Sequence, residues 1–207
     1  MIAIVDYGAG NLRSIQRAIE ATGAPVTITA DPAVIVAAEA VVLPGVGNAG
    51  AAMKRLRDMD VIPAIEQSVA AKKPFLGICL GMQLLFDYQE EGSTEGLGLI
   101  PGQVRALTGS VKVPHIGWNL SRIVRSTPLG TTGDAYRYYF VHSYTVLPDD
   151  PTAVVATVYY GQEFPSIVAR DNIWGTQFHP EKSSNDGLAL IRSFVALTQV
   201  VPETVPA

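Results

Sequence analysis

Apolar residues in the first eighty positions come in short unbroken runs separated by stretches with helical spacing. The runs at 1–5, 40–43 and 75–78 are four or five residues long and apolar almost throughout, and 26–29 alternates Val and Ile with Thr; all four predict strands, those at 1–5 and 75–78 buried. Between the first two, Leu12, Ile15, Ile19 and Thr22 fall on one helical stripe that Gly23 ends, so the chain opens with a βα unit. Asp31-Pro32 predicts a turn. Residues 48–72 are helical in composition, with Pro63 near the first turn of a second helix. Residues 80–86 also predict a helix, with Leu84 and Leu85 on its inner face.

From about Gly92 the pattern shifts to strand-like runs bounded by Gly, Pro and Asp-Asn. These are 104–107, 136–141, 154–160, 166–170 and 173–178, the last two joined by the short hairpin signal Asp171-Asn172. A final helix carries Leu188, Ile191, Phe194 and Val195, with Asn185 and Asp186 as candidate caps, and a frayed tail follows Gln199. The elements predict one α/β domain over 1–199 and a tail over 200–207. Its sheet is expected to be mixed and mostly parallel, flanked by helices, with an antiparallel C-terminal half. No internal repeat or low-complexity tract is visible.

Composition adds bounds. At 207 residues, with 48% hydrophobic and 16% charged, the chain can bury a sizeable core and still leave an apolar face for docking. A net charge of −4 without a Lys/Arg cluster gives no footprint for nucleic acid. One cysteine cannot form an internal disulfide, which fits a reducing cytoplasm. Met1 enters an apolar strand without a basic stretch before it, and no apolar run is long enough to span a bilayer, so neither export nor membrane insertion is expected.

That single cysteine stands between a predicted strand and a predicted helix, in Gly77-Ile78-Cys79-Leu80-Gly81. Glycines two before and two after it leave room for the strained bend of a nucleophile elbow. A thiol there projects from the carboxyl end of a strand, near a helix N-terminus that favours thiolate and beside N–H groups able to hold an oxyanion. The bland alternative is a small buried hydrophobe. A base would separate the two, and Phe178-His179-Pro180-Glu181 offers one. Pro180 pushes His179 to extended backbone, where residues two apart point to one side. Glu181 can then hold one ring nitrogen and leave the other to take a thiol proton. Taken alone, a His-x-Glu pair is weak evidence, since exposed ion pairs are common.

Other candidate motifs are less specific. Gly8-Ala9-Gly10 opens the first helix, but the third glycine of a dinucleotide fingerprint would fall on Arg13, so no such cofactor is expected. Pro44-Gly45-Val46-Gly47 follows the third strand, where glycine dihedrals could turn an N–H toward an acyl oxygen or simply form a turn. His115 and His142 are the only other histidines and lie at no metal-ligand spacing, so no metal is expected.

The stretch from Gly77 to Gln83, taken with Phe178-His179-Pro180-Glu181, resembles the triad glutamine amidotransferases, in which Cys, His and Glu come in this order. Further segments are similar to the glutaminase subunits of imidazole glycerol phosphate synthases: Asp6-Tyr7-Gly8-Ala9-Gly10-Asn11-Leu12, Pro44-Gly45-Val46-Gly47, Pro114-His115-Ile116-Gly117-Trp118-Asn119, Tyr139-Phe140-Val141-His142-Ser143-Tyr144, and Lys182 after His-Pro-Glu. The resemblance runs from the first strand to the last helix. It implies catalytic roles for Cys79, His179 and Glu181, and oxyanion binding by N–H groups at Val46, Gly47 and Leu80. Gln83, Glu91, Ser143 and Tyr144 would hold the amino-acid end of L-glutamine, although Glu91 also reads as a solvated loop charge. The resemblance further implies a heterodimer with a (βα)8-barrel cyclase subunit that uses the ammonia in histidine biosynthesis. Asn11, Arg13, Trp118, Asn119 and Lys182 would lie at that interface, with helix capping as the other role open to Asn11. No cofactor is implied. A synthase acting on chorismate and a non-catalytic module stay as alternatives; the chorismate enzymes usually lack the 114–119 segment and the lysine.

Overall fold

A computed structural model describes residues 1–199, so the expected tail lies outside the described residues. The first part of the chain runs β1 (Ile2–Val5), α1 (Leu12–Glu20), β2 (Val26–Thr29), α2 (Pro32–Ala37), β3 (Ala40–Leu43), α3 (Ala49–Asp58), α4 (Ile62–Ala70), β4 (Phe75–Ile78) and α5 (Leu80–Gln83). It continues through β5 (Phe86–Gln89), β6 (Thr94–Glu95), β7 (Ile100–Ala106), β8 (His115–Ile123), β9 (Ala135–His142), β10 (Tyr144–Pro148), β11 (Val154–Tyr160), β12 (Gln162–Arg170), β13 (Ile173–Thr176) and α6 (Ser184–Ala196).

Nine strands form one mixed sheet in the order β2-β1-β3-β4-β13-β12-β11-β8-β9. Pairings from β2 through β13 are parallel, and those from β13 outward are antiparallel. Alternation along the buried strands splits the core between the two faces. Ile2, Ile4 and Val42 pack with Ile15 and Ile19 of α1 and with Leu190, Ile191 and Phe194 of α6. Val41, Leu43 and Phe75 pack on the other face with Ile35, Met53, Leu56 and Ile65. The insertion of β13 beside β4, with Thr176 opposite Ile78, brings the end of the chain to the Cys79 bend.

Several local expectations change under tertiary contacts. Asp31-Pro32 begins a helix, α2, because the Asp31 carboxylate accepts the Ala33 N–H at 2.8 Å. The helix expected over 80–86 stops at Gln83. N–H groups of Leu97, Leu99 and Ile100 reach the carbonyls of Leu84 and Leu85 at 2.8, 2.8 and 3.0 Å, and Phe86 enters β5 instead. The sheet β10-β7-β5-β6 built from these strands was not foreseen. Nor was β8, which contains most of the 114–119 segment and turns Ile116, Trp118 and Leu120 outward. Asn185 and Asp186 do not cap α6: Ser183 holds the cap position, and Asp186 accepts the Arg137 N–H at 2.8 Å, tying α6 to β9. The strand expected to reach Phe178 ends at Thr176. Among the described residues no helix is long and apolar enough to cross a membrane.

Candidate active site

The bend between β4 and α5 places Cys79 at φ +54° and ψ −111°, a conformation that residues with side chains rarely adopt. Its N–H donates to the Thr176 carbonyl of β13 at 2.7 Å. The flanking glycines are needed for space. A Cβ on Gly77 would lie 2.7 Å from the Gly81 carbonyl oxygen, and one on Gly81 would lie 1.9 Å from that of Leu43. The bend is therefore pressed against both its own helix and the end of β3.

Past β13 the chain returns His179 to the same place. His179 Nδ1 pairs with Glu181 Oε1 at 2.9 Å, and both side chains are almost wholly buried. The carboxylate fixes Nδ1 as the protonated nitrogen and leaves Nε2, which is buried without a hydrogen-bond partner of regular geometry. Burial works against a charged ring here, but Cys79 and Glu181 outweigh it and raise the His179 pKa to about 9. Backbone contacts hold the loop: His179 N–H donates to Tyr139 O at 3.0 Å, while Ser183 Oγ donates to His179 O at 2.6 Å and accepts the Tyr139 N–H at 3.0 Å. Edge strand β9 is thus pinned to the histidine loop. Cys79 Sγ faces Val141 O of β9 at 3.9 Å and Gln177 Nε2 at 4.0 Å.

Cys79 and His179 open onto a cleft of about 450 Å³ that Val46, Gly47, Leu80, Gln83, Glu91, Ser143, Tyr144 and Lys182 also line. Every residue expected to act on glutamine is brought together there except Glu181, which sits behind His179. Gln83 Nε2 donates to Tyr144 O at 3.1 Å and Gln177 Oε1 at 3.2 Å, bracing the elbow against β10. Glu91 is not a solvated loop charge, since its carboxylate accepts the Ala49 N–H at 2.7 Å in the first turn of α3. Leu80 begins α5, so its N–H has no intrahelical partner. Gly47 has φ +92°, which suits glycine, but the expectation of unusual dihedrals on both sides of Val46 holds only there. Gly45 is required for room: a Cβ would stand 2.7 Å from Tyr7 Oη and 2.8 Å from Leu80 Cβ.

Asn11, Arg13, Trp118 and Asn119 do not line the cleft. Asn11 occupies the cap position of α1 but makes no side-chain capping bond, and Arg13 Nη1 donates to Gln16 Oε1 at 3.3 Å. Trp118 is 51% exposed on β8. Asn119 Nδ2 donates to Tyr159 O at 3.0 Å.

Three contributors escaped the sequence reading. Tyr7 is buried and donates to Pro44 O at 2.9 Å, holding the 44–47 segment; burial, and secondarily Cys79, raise its pKa. Gln177 and Ser183 brace the thiol and the imidazole. Tyr7 stood inside a motif already singled out and the other two flank one, but only the packing reveals what they touch. Among the described residues no group of three or more His, Cys, Asp or Glu is placed to hold a metal ion. The cleft combines a thiol on a strained turn, an imidazole oriented by a carboxylate and backbone N–H groups on either side, the set required for nucleophilic acyl transfer.

The family model described as Glutamine amidotransferase class-I matches residues 3–197. The imidazole glycerol phosphate synthase subunit HisH of Synechococcus elongatus is 48% identical over 204 residues, which span 96% of this chain and 93% of that protein. Subunit HisH 1 of Methanococcus maripaludis is also 48% identical over 204 residues, spanning 95% of this chain and 100% of that protein. Among solved structures, a glutamine amidotransferase crystal structure superposes with a TM-score of 0.77 at 18% identity, covering 97% of this chain and 100% of that one. PurLQS from Thermotoga maritima gives a TM-score of 0.72 at 20% identity, covering 95% and 97%. At these identities the two structures speak for the fold alone.

Proposed function

Because the chain belongs to the class-I glutamine amidotransferase family, we propose that it is the glutaminase subunit of an imidazole glycerol phosphate synthase. It hydrolyses glutamine to glutamate and ammonia and passes the ammonia to a cyclase subunit. The observation that carries this is the convergence of Cys79 and His179 on one cleft, from positions a hundred residues apart in the chain, with Glu181 bonded behind the imidazole.

The thiolate of Cys79 attacks the side-chain amide carbon of glutamine, and N–H groups of Leu80 and the Val46–Gly47 segment hold the oxyanion. Protonated His179 gives its proton to the leaving nitrogen, so ammonia departs and a thioester remains. Neutral His179 next takes a proton from water, whose oxygen attacks the thioester; glutamate leaves and the thiol is restored. Glu181 keeps the ring in the tautomer both steps need. At the other end of the substrate, Glu91 meets the ammonium while the N–H groups of Ser143 and Tyr144 meet the carboxylate, a division that selects a free amino acid.

The partner is a (βα)8-barrel cyclase in a heterodimer, docked on the side that carries Asn11, Arg13, Trp118, Asn119 and Lys182. Two features support this side. Ile116, Trp118 and Leu120 form an exposed apolar strip on β8, beside Val141 at the cleft. Asn11 and Arg13 follow β1 at the edge of the parallel strands where Cys79 follows β4. A reducing cytoplasm suits a chain whose one thiol must stay a nucleophile. Glutamate release from glutamine, measured with and without the cyclase subunit, tests the proposal. A large stimulation by the cyclase is expected, because Gly47 holds a backbone conformation that docking can shift. Equal rates would overturn partner control, and glutamate formation by Cys79→Ala would overturn the thioester route.

A further inference from the structure

The mechanism leaves two of the three histidines unused, yet they are buried and bonded to each other. His115 Nδ1 and His142 Nε2 are 3.0 Å apart, and His142 Nδ1 is 2.8 Å from Tyr144 O. At the other end, Asn119 Nδ2 lies 3.4 Å from His115 Nε2. Each terminus fixes the direction of the chain. The Tyr144 carbonyl can only accept, so His142 carries its proton on Nδ1 and, when neutral, presents Nε2 as an acceptor to His115 Nδ1–H. The Asn119 amide is oriented independently: its oxygen accepts the Leu120 N–H at 2.8 Å and its nitrogen donates to Tyr159 O. It therefore donates to His115 Nε2, which again puts the His115 proton on Nδ1. Both ends give the same answer, a one-way series from Asn119 through two neutral rings to the Tyr144 carbonyl.

That carbonyl is also the acceptor for Gln83 Nε2, so the strand beginning at Tyr144 is gripped from the elbow side and from the histidine side. We propose that His115 and His142 are positioning residues for the glutaminase reaction: a hydrogen-bond relay that fixes the Ser143–Tyr144 segment where it receives the amino-acid end of glutamine. The relay rests on the glutaminase assignment above. Its rings cannot serve as acid or base toward substrate, since both nitrogens of each are engaged. The surroundings favour neutrality. His115 lies between Phe140 and Tyr160, with ring centroids 5.0 and 4.0 Å away, and burial lowers the pKa of both histidines, His142 to about 4.

Glutaminase kinetics of the complex with its cyclase subunit separate this role from simple packing. His115→Phe keeps a ring between Phe140 and Tyr160 but loses the donor, and should raise KM for glutamine about tenfold while kcat changes less than about twofold. His115→Asn puts an amide nitrogen near the former Nδ1 position and should restore most of the affinity. An unchanged KM in His115→Phe, or equal losses in the two variants, would overturn the relay. Long-range ¹H–¹⁵N spectra of the isolated wild-type chain give a second readout independent of glutamine. Nδ1–H tautomers on both His115 and His142 at pH 7 are expected, and an Nε2–H tautomer or a charged ring at either overturns the proposal. If the wild-type complex releases no glutamate, the glutaminase assignment fails, and these tautomers alone decide whether the relay exists.

Discussion

Unlike the other two imidazoles, His179 has a ring nitrogen that no protein group occupies with regular geometry. Its neighbour on the other nitrogen is therefore the residue that determines what it can do. In Glu181→Gln the amide can donate to Nδ1, which turns the proton to Nε2 and removes the acceptor that water activation requires. We expect kcat for glutamate release by the complex to fall by about a thousandfold with KM nearly unchanged; a loss below tenfold would mean that the carboxylate serves packing alone. This part of the site was legible in the sequence because it is written in residue types at short spacing: a thiol between glycines, and a histidine two residues before a glutamate. Ser183 and Gln177 were not legible as contributors. A serine or glutamine signals nothing by type, and these two act through the His179 carbonyl and through Tyr139, Cys79 and Gln83, which the topology brings from other elements.

Three elements meet at the proposed oxyanion side: the turn after β1, the segment after β3 and the elbow after β4. They meet closely enough that Gly45, Gly81 and Tyr7 share one small volume. Tyr7→Phe keeps the ring but leaves the Pro44 carbonyl without its donor, so the 44–47 segment should lose definition. We expect kcat to fall about tenfold with a change in KM of less than about threefold, since the bond supports the oxyanion side and not the amino-acid end. Equal effects on both constants would refute that division. In Gly81→Ala the added methyl would collide with the Leu43 backbone, and a loss of at least about 3 kcal/mol in urea denaturation is expected. At this scale the sequence was only partly readable. The buried runs appeared as strands where expected because length and composition determine them. Leu84 to Phe86 did not remain helical, because N–H groups from a segment more than ten residues later take their carbonyls, and no local pattern records that competition. The 114–119 segment was visible as a motif but not as a strand: Ile116, Trp118 and Leu120 alternate with His115, Gly117, Asn119 and Ser121, but the apolar set faces outward, the reverse of an ordinary half-solvated strand.

For the whole molecule, the antiparallel half does more than extend the sheet, because it sends the chain back through β13 to the elbow and stations all three histidines at the junction. Their opposed titrations give the fold a pH optimum. His142 is buried neutral, its pKa lowered to about 4 from 6.5, with His115 lowered in the same direction. Between these limits the unfolded chain binds more protons than the folded one, so stability is lost as pH falls from about 6.5 toward about 4. His179 is raised to about 9 from 6.5, so its folded form holds a proton that the unfolded chain releases. The stability from its charged partners is complete below about pH 6.5 and is lost as pH rises toward about 9. Each limb is bounded by a few kcal/mol, on the order of 3, because a unit of pKa shift corresponds to about 1.4 kcal/mol. The urea midpoint of the isolated chain should therefore peak between about pH 6 and 7 and decline on both sides. Glu181→Gln should make the alkaline limb shallower, with Cys79 still holding part of it, and leave the acid one, while His142→Gln should make the acid limb shallower and leave the alkaline one. A wild-type midpoint that stays level from pH 4.5 to 6.5, or a single substitution that flattens both limbs, would show that these rings do not titrate as their surroundings require.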